Sequence, residues 1–188
     1  MNPSTPNTPN APHAASPPSR TADAATITGR FGPFSIISYD DIVLASGWTT
    51  ELEALCAVIS PQLRPPKLRV RRDLGAVTRS VQAYDGGDLD AIDDIEVQQR
   101  SGPFREQVWQ TLRAIPAGVA LTYSEVAAKA GSPRAVRAAG SACATNPSAL
   151  FVPCHRVIGS NGALRGFGYG LQLKAALLAH ESRDPSDP

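Results

Sequence analysis

The sequence predicts an α+β protein: a small α/β half over residues 27–98, then an α-rich half over residues 99–182 that contains a helix-turn-helix. Three observations lead there. Short apolar segments with β-type alternation crowd the first half, as in Phe34–Tyr39 and Ile42–Ala45. In the second half apolar residues recur at three- and four-residue intervals, beginning with Phe104, Val108, Trp109, Leu112 and Ile115. Between the halves lies an acidic stretch, Asp85 to Glu96, that reads as a linker ending near Ser101-Gly102-Pro103.

The chain has 188 residues, 42% of them hydrophobic, which is enough to bury a core and ordinary for a globular protein. No run approaches the roughly 20 apolar residues of a membrane helix. The start lacks a basic segment followed by an apolar one, so no signal peptide is expected. Cys56, Cys143 and Cys154 are odd in number and widely spaced, which argues against a disulfide framework and suits a reducing compartment, the cytoplasm. No Cys/His cluster has zinc-ligand spacing, so no metal is expected. The net charge of +1 carries no information about nucleic acid, but its distribution does. Between Glu125 and Glu181 no acidic residue occurs, while Lys129, Arg134, Arg137, Arg156, Arg165 and Lys174 fall in that stretch. A surface free of charges that repel phosphates is the expectation.

Taken in order, residues 1–26 are rich in Pro, Ala, Ser, Thr and Asn and lack large apolar side chains, so a disordered tail is expected. Two strands follow around the turn pair Asp40-Asp41. Thr49 or Thr50 is placed to cap a helix bearing Leu52, Leu55, Val58 and Ile59, with Glu53 at capping-box spacing from Thr50. Cys56 falls beside those apolar positions and reads as core. Leu68-Arg69-Val70 reads as a third strand, and Leu74, Val77, Val81 and Tyr84 as a helix ended by Asp85-Gly86-Gly87. This half shows no chemistry and reads as a support. In the second half the helix beginning near Phe104 is closed by Pro116. Ser124 then caps a short helix, Glu125 to Ala130, broken by Gly131. Ser132-Pro133 starts another, Arg134 to about Ala144, rich in small residues; two short helices about a tight glycine turn are the helix-turn-helix pattern. Leu150 to Val152 read as a short buried strand. The last helix runs from Leu171 to about Glu181, and residues 183–188 read as a frayed end.

The chemistry concentrates at Pro153-Cys154-His155-Arg156-Val157. A nucleophile and a base stand side by side, and neighbours on a strand point to opposite faces. For both to serve one site the chain must turn, and Pro153 makes a turn plausible. Gly166-Phe167-Gly168-Tyr169-Gly170 reads as a loop whose glycines allow close approach of backbone to a ligand. A free cysteine with a pKa near ~8.5 is mostly protonated at neutral pH, so a reactive Cys154 requires a base within reach and, behind it, a carboxylate. Composition and spacing do not choose among the acids.

The pentapeptide Pro153 to Val157 resembles the active-site signature of O6-alkylguanine-DNA alkyltransferases, DNA-repair proteins that move an alkyl group from guanine O6 to their own cysteine. The similarity is close over residues 101–181, with Arg105 where glutamine is usual, and extends over residues 27–98 only in element order. It implies a ribonuclease-H-like first half and a winged helix-turn-helix-like second half. It implies that Cys154 is the nucleophile, His155 the base and Glu181 the carboxylate, within Leu177-Leu178-Ala179-His180-Glu181, with His180 a bystander. It implies that Tyr123 donates toward the guanine and that Asn146 braces the turn before the active-site strand. Arg137 matches the arginine that fills the gap left by a flipped base, with Arg134, Ser132 and Ala138 beside it on DNA. The pocket is implied at Val157, Arg165, Phe167 and Gly168; Phe167 replaces a common tyrosine and Arg165 a common small residue. The implied partner is double-stranded DNA with alkylated bases, bound by a monomer without cofactor or membrane. Rival readings are a recognition protein that marks lesions without transfer, a helix-turn-helix regulator, and a cysteine hydrolase using Cys154 and His155.

Overall fold

The computed structural model describes residues 21–182. Residues 183–188 and the first twenty residues of the expected tail lie outside the described residues. The first half is a four-stranded sheet with two helices. Strands β1 (Ala22–Gly29), β2 (Gly32–Tyr39), β3 (Ile42–Gly47) and β4 (Leu68–Val70) lie in the order β3-β2-β1-β4. β1 pairs antiparallel with β2 and parallel with β4, and β2 pairs antiparallel with β3. The β2–β3 turn is Asp40-Asp41, both residues at positive φ, 46° and 65°. That is the two-residue hairpin geometry whose twist matches the strands, and Asp tolerates it better than most residues.

The boundary of the tail needs correction. Residues 22–26 belong to β1, and Ala22, Ala24 and Ala25 are fully buried. β1 is an inner strand between β2 and β4, so small side chains suffice to fill its faces. Helix α1 (Leu52–Ala57) covers one face, where Leu55 and Ile59 pack with Ala24, Ile37 and Leu44. Cys56 packs at the edge of that cluster, half-buried. The expected capping box at Thr50 does not form: Glu51 is the N-cap, without a side-chain cap, and Thr49 Oγ1 instead accepts from the Glu51 N–H at 3.0 Å.

Helix α2 (Ala76–Asp85) covers the other face with Val77, Val81 and Tyr84. Leu150, Phe151 and Leu177 of the second half complete this cluster, so the two halves share a core. The acidic segment between them is pinned along its length. Ile92 is buried in the shared core, and Val97 forms a parallel bridge with Val43 on the outer edge of β3. Further along the same edge Ser46 bridges to Ser148, and its hydroxyl donates to the Ala149 carbonyl at 2.7 Å. An edge strand that would otherwise expose unpaired backbone is thereby covered.

The second half packs α3 (Pro103–Arg113), α4 (Tyr123–Lys129) and α5 (Val136–Ala144) around Val108, Trp109, Leu112, Val126, Ala139 and Ala142. Two helix starts differ from the sequence expectation. Thr122 caps α4, through a capping box with Glu125. α5 begins at Val136 with Ala135 as N-cap, which leaves Arg134 in the turn. A two-stranded parallel pair, β5 (Leu121–Thr122) with β6 (Val157–Ile158), was not legible in the sequence. Helix α6 (Leu171–Glu181) closes the chain.

Leu150 to Val152 form a turn rather than a strand. Their apolar run reflects burial in two cores: Leu150 and Phe151 face the sheet, Val152 the helical cluster. Leu150 sits at φ 74°, a left-handed conformation that a branched side chain adopts only when its surroundings hold it there. Leu150→Ala is expected to cost about 2–5 kcal/mol. Because this core is shared, the loss should appear in urea titration as a lower midpoint of one transition spanning both halves.

Candidate active site

The turn following α5 is braced by one side chain. Asn146 Nδ2 donates to the Val152 carbonyl at 2.7 Å and to Cys154 Sγ at 3.3 Å. Its Oδ1 accepts from the Ser148 N–H at 3.1 Å and from Gln99 Nε2 at 3.0 Å. Asn146 thus ties together both ends of the turn and also touches the Cys154 sulfur. Cys154 to Arg156 form a single 3₁₀ turn, which supplies the required bend.

Cys154 lines a cavity of roughly 530 Å³, with Asn146 and Cys143 to one side and Phe167, Gly168 and Tyr169 to the other. The N-terminal half contributes the outer wall through Ala54, Leu55 and Val58 of α1 and its flank. Phe167 stands edge-on to His155 at 6.4 Å between ring centroids and packs on Tyr169 and Trp48. The aromatic wall thus survives the loss of the tyrosine hydroxyl. Val157 and Arg165, expected in the pocket wall, do not line this cavity. Val157 is wholly buried in the helical core, and the exposed Arg165 side chain lies over Gly159. What Arg165 contributes is its carbonyl, which accepts from Tyr123 Oη at 3.0 Å and from Lys174 Nζ at 2.7 Å.

Behind Cys154 lies a buried polar cluster. His155 Nε2 is 2.8 Å from Glu181 Oε1. Arg156 donates to both carboxylate oxygens, through Nε to Oε2 and Nη2 to Oε1, each at 2.9 Å. Tyr84 Oη donates to Oε1 at 2.8 Å. Burial alone raises the Glu181 pKa, but the hydrogen bonds and charges of His155 and Arg156 outweigh it and hold the carboxyl at about 2. An ionised Glu181 is an acceptor only, so His155 Nε2 carries the proton and Nδ1 presents a lone pair. That Nδ1 is buried and has no hydrogen-bond partner among the described residues. Burial pushes the His155 pKa below its ordinary value despite Glu181 and keeps the ring neutral. Burial likewise raises the Cys154 thiol, against the Asn146 hydrogen bond, and pushes Tyr123 up to about 12.

The expected basic surface needs correction at two of its six residues. Arg156 and Lys174 are internal: Arg156 neutralises Glu181 and also donates to the Ile115 carbonyl, and Lys174 donates to the carbonyls of Val157 and Arg165. Lys129, Arg134, Arg137 and Arg165 remain exposed. Arg137 lies on the outer face of α5 with Ala138 and Ser141, and Ser132 and Arg134 occupy the turn before it. The end of that helix, Cys143 and Ala144, reaches the cavity. Among the described residues no group of three or more His, Cys, Asp or Glu is placed to hold a metal ion. His180 donates from Nε2 to the Tyr84 carbonyl at 2.7 Å.

A family model described as 6-O-methylguanine DNA methyltransferase, DNA binding domain, matches residues 103–183. A methylated-DNA–protein-cysteine methyltransferase of Mycobacterium tuberculosis is 37% identical over 166 residues, covering 86% of this chain and 94% of the relative. The chain belongs to the methylated-DNA–protein-cysteine methyltransferase family. A Salmonella typhimurium member is 46% identical over 107 residues, a match spanning 57% of this chain and 63% of that relative. Among solved structures, the OGT of Mycobacterium tuberculosis in complex with DNA superposes with a TM-score of 0.73 at 30% identity, covering 85% of this chain and 92% of that one. The mixed α+β architecture, a small N-terminal sheet followed by a helical half, is the one these methyltransferase structures share.

Several site residues of this methyltransferase-family chain escape sequence reasoning. Arg156 lies inside the signature, but only the fold shows that it faces inward. Tyr84 lies 97 residues from Glu181 and reads locally as one more apolar helix position. Trp48 carries no motif, and Tyr169 lies in the glycine loop without a signal of its own. Because Glu181 is held near 2 when folded and lies near 4.5 otherwise, its stabilisation is present above pH 4.5 and is lost as pH falls toward 2. Glu181→Gln, which leaves Arg156 buried without its counter-ion, is expected to cost about 3–5 kcal/mol at neutral pH. The same variant should flatten the loss of stability between those pH values, as measured by chemical denaturation at each pH.

Proposed function

We propose that this protein repairs DNA by transferring an alkyl group from O6 of an alkylated guanine to the sulfur of Cys154. The observation that supports this most directly is the placement of Cys154 on a cavity large enough for a base, with a neutral, buried His155 oriented behind it by Glu181. In the reaction the thiol proton passes to His155 Nδ1, directly or through a water, and the sulfur attacks the alkyl carbon in line. The carbon–O6 bond breaks, and the guanine leaves with a proton delivered toward its ring nitrogen. Tyr123 is the donor in this reading; its phenol is protonated at neutral pH, and its hydroxyl turns from the Arg165 carbonyl to the base. The product is a thioether, from which thiolate is a poor leaving group, so each molecule acts once. No cofactor takes part.

The target atom lies inside a duplex, so the nucleotide must leave the stack. Arg137 on the small-residue face of α5 fills the gap, while Arg134 contacts phosphate and Ser132 and Ala138 lie against the groove. Phe167 and Gly168 form the wall against the extruded base. The protein acts as a monomer, in the cytoplasm, on double-stranded DNA containing alkylated bases.

Intact-protein mass spectrometry after mixing with O6-methylguanine duplex tests the reading. One methyl is gained per molecule, and none by Cys154→Ser. Tight binding without a mass gain would instead establish a recognition protein, and neither binding nor gain would return the regulator and hydrolase readings. Arg137→Ala should slow transfer from duplex at least about tenfold, the factor that ~1.4 kcal/mol represents. It should slow transfer from a single-stranded oligonucleotide much less, as rapid-quench comparison of the two substrates would show. The pH dependence has a definite sign. Neutral His155 is the active form and its pKa lies below 6.5, so the transfer rate should hold as pH falls to 6.5 and decline only below it.

A further inference from the structure

The hydroxyl of Tyr84 is the least expected member of the Glu181 cluster. Tyr84 belongs to α2 of the N-terminal half, is fully buried, and donates to Glu181 Oε1, the same atom that accepts from His155 and from Arg156 Nη2. The chain grips it twice, since His180, next to Glu181, donates to the Tyr84 carbonyl. Its ring also meets the His180 ring edge-on at 5.2 Å. A tyrosine needed only to fill this apolar core would be served by phenylalanine. The buried hydroxyl is instead aimed at the one oxygen that holds the base.

We infer that Tyr84 is a positioning residue for alkyl transfer, acting from the N-terminal half by tempering the charge that Glu181 presents to His155. The inference rests on the alkyltransferase reading above and deepens it. A carboxylate oxygen that receives an additional short hydrogen bond carries less charge toward its other partners. Glu181 then stabilises an imidazolium less, and His155 stays neutral, with its Nδ1 lone pair free, to lower pH. Burial keeps the Tyr84 phenol protonated throughout, so the donor is constant. The other charged and titratable groups facing this cluster are Arg156 on the same turn, Lys174 and His180 on α6, Cys154, Asp85 on α2 and, beyond Arg156, Asp93 of the segment joining the halves. Arg156 and Lys174 oppose an imidazolium as Tyr84 does, but neither comes from the N-terminal sheet or its helices.

The test is the rate of single-turnover methyl transfer from O6-methylguanine duplex across pH 5 to 9, in wild type, Tyr84→Phe, and protein carrying 3-fluorotyrosine at position 84. Removing the hydroxyl concentrates charge on Glu181 and raises the basicity of His155. The acid limb should therefore move up by about one pH unit in Tyr84→Phe, with one methyl still accepted per molecule. Fluorotyrosine, a stronger donor of nearly the same shape, should move the limb down. An unmoved limb in both proteins, or a rate lowered equally at every pH, would overturn the inference and leave Tyr84 a structural residue. Should Tyr84→Phe fail to fold, the fluorotyrosine protein decides alone: a limb moved down supports the inference and an unmoved limb overturns it. No transfer by wild type at any pH would refute the alkyltransferase reading itself.

Discussion

A single buried carboxylate organises this protein. Glu181 is almost inaccessible to water yet ionised, a state that survives burial only when its charge is paired and its lone pairs are filled. Arg156 supplies the counter-charge in a two-point contact, and His155 and Tyr84 fill the remaining directions on Oε1. The cluster draws on three parts of the fold. His155 and Arg156 come from the 3₁₀ turn, Tyr84 from α2, Glu181 from the end of α6, and Arg156 reaches on to the Ile115 carbonyl beyond α3. The cluster therefore sets the relative placement of the two halves as well as the orientation of the imidazole.

That dual role changes the meaning of the N-terminal half. Read from its own residues it offers no chemistry and serves as support. In the fold it contributes a hydrogen bond to the Glu181 carboxylate, one wall of the cavity through α1, and Trp48 against Phe167. It also holds the active-site turn from outside, because the backbone of Ser46 exchanges hydrogen bonds with Pro147 and Ala149, just after Asn146. A strand edge that needed covering and a turn that needed bracing satisfy each other.

Apart from the β5–β6 pair, most of the element order was legible because it rests on local signals: the Asp40-Asp41 hairpin, the three- and four-residue apolar spacing of α3, and the glycine between α4 and α5. The candidate nucleophile Cys154 and the neighbouring His155 stood out too, as an unusual sequence at the end of an apolar run. Assigning Glu181 needed the resemblance, since nothing local distinguishes one acid from another. The failures share a cause, which is that burial can be achieved in more than one geometry. Leu150 to Val152 are as apolar as a strand but form a turn between two cores. Ala22 to Thr26 look like tail because β1 needs only alanine at its inner positions. Arg156 and Lys174 count as surface charge until the fold supplies an internal carboxylate for one and two carbonyls for the other.

The same burial sets the resting state of the candidate pair. It raises the Cys154 thiol and lowers His155, so both shifts favour the neutral thiol and neutral imidazole over thiolate and imidazolium. An exposed low-pKa cysteine would react with any electrophile or oxidant that reached it. A buried, protonated one is nearly inert until a substrate supplies both an electrophilic carbon and a leaving group. For a protein proposed to spend Cys154 in one event, that restraint is as important as reactivity. In the proposed transfer the proton must move as the carbon–sulfur bond forms, and the reading gives it to His155, whose Nε2 is held by Glu181 and whose Nδ1 has no hydrogen-bond partner among the described residues.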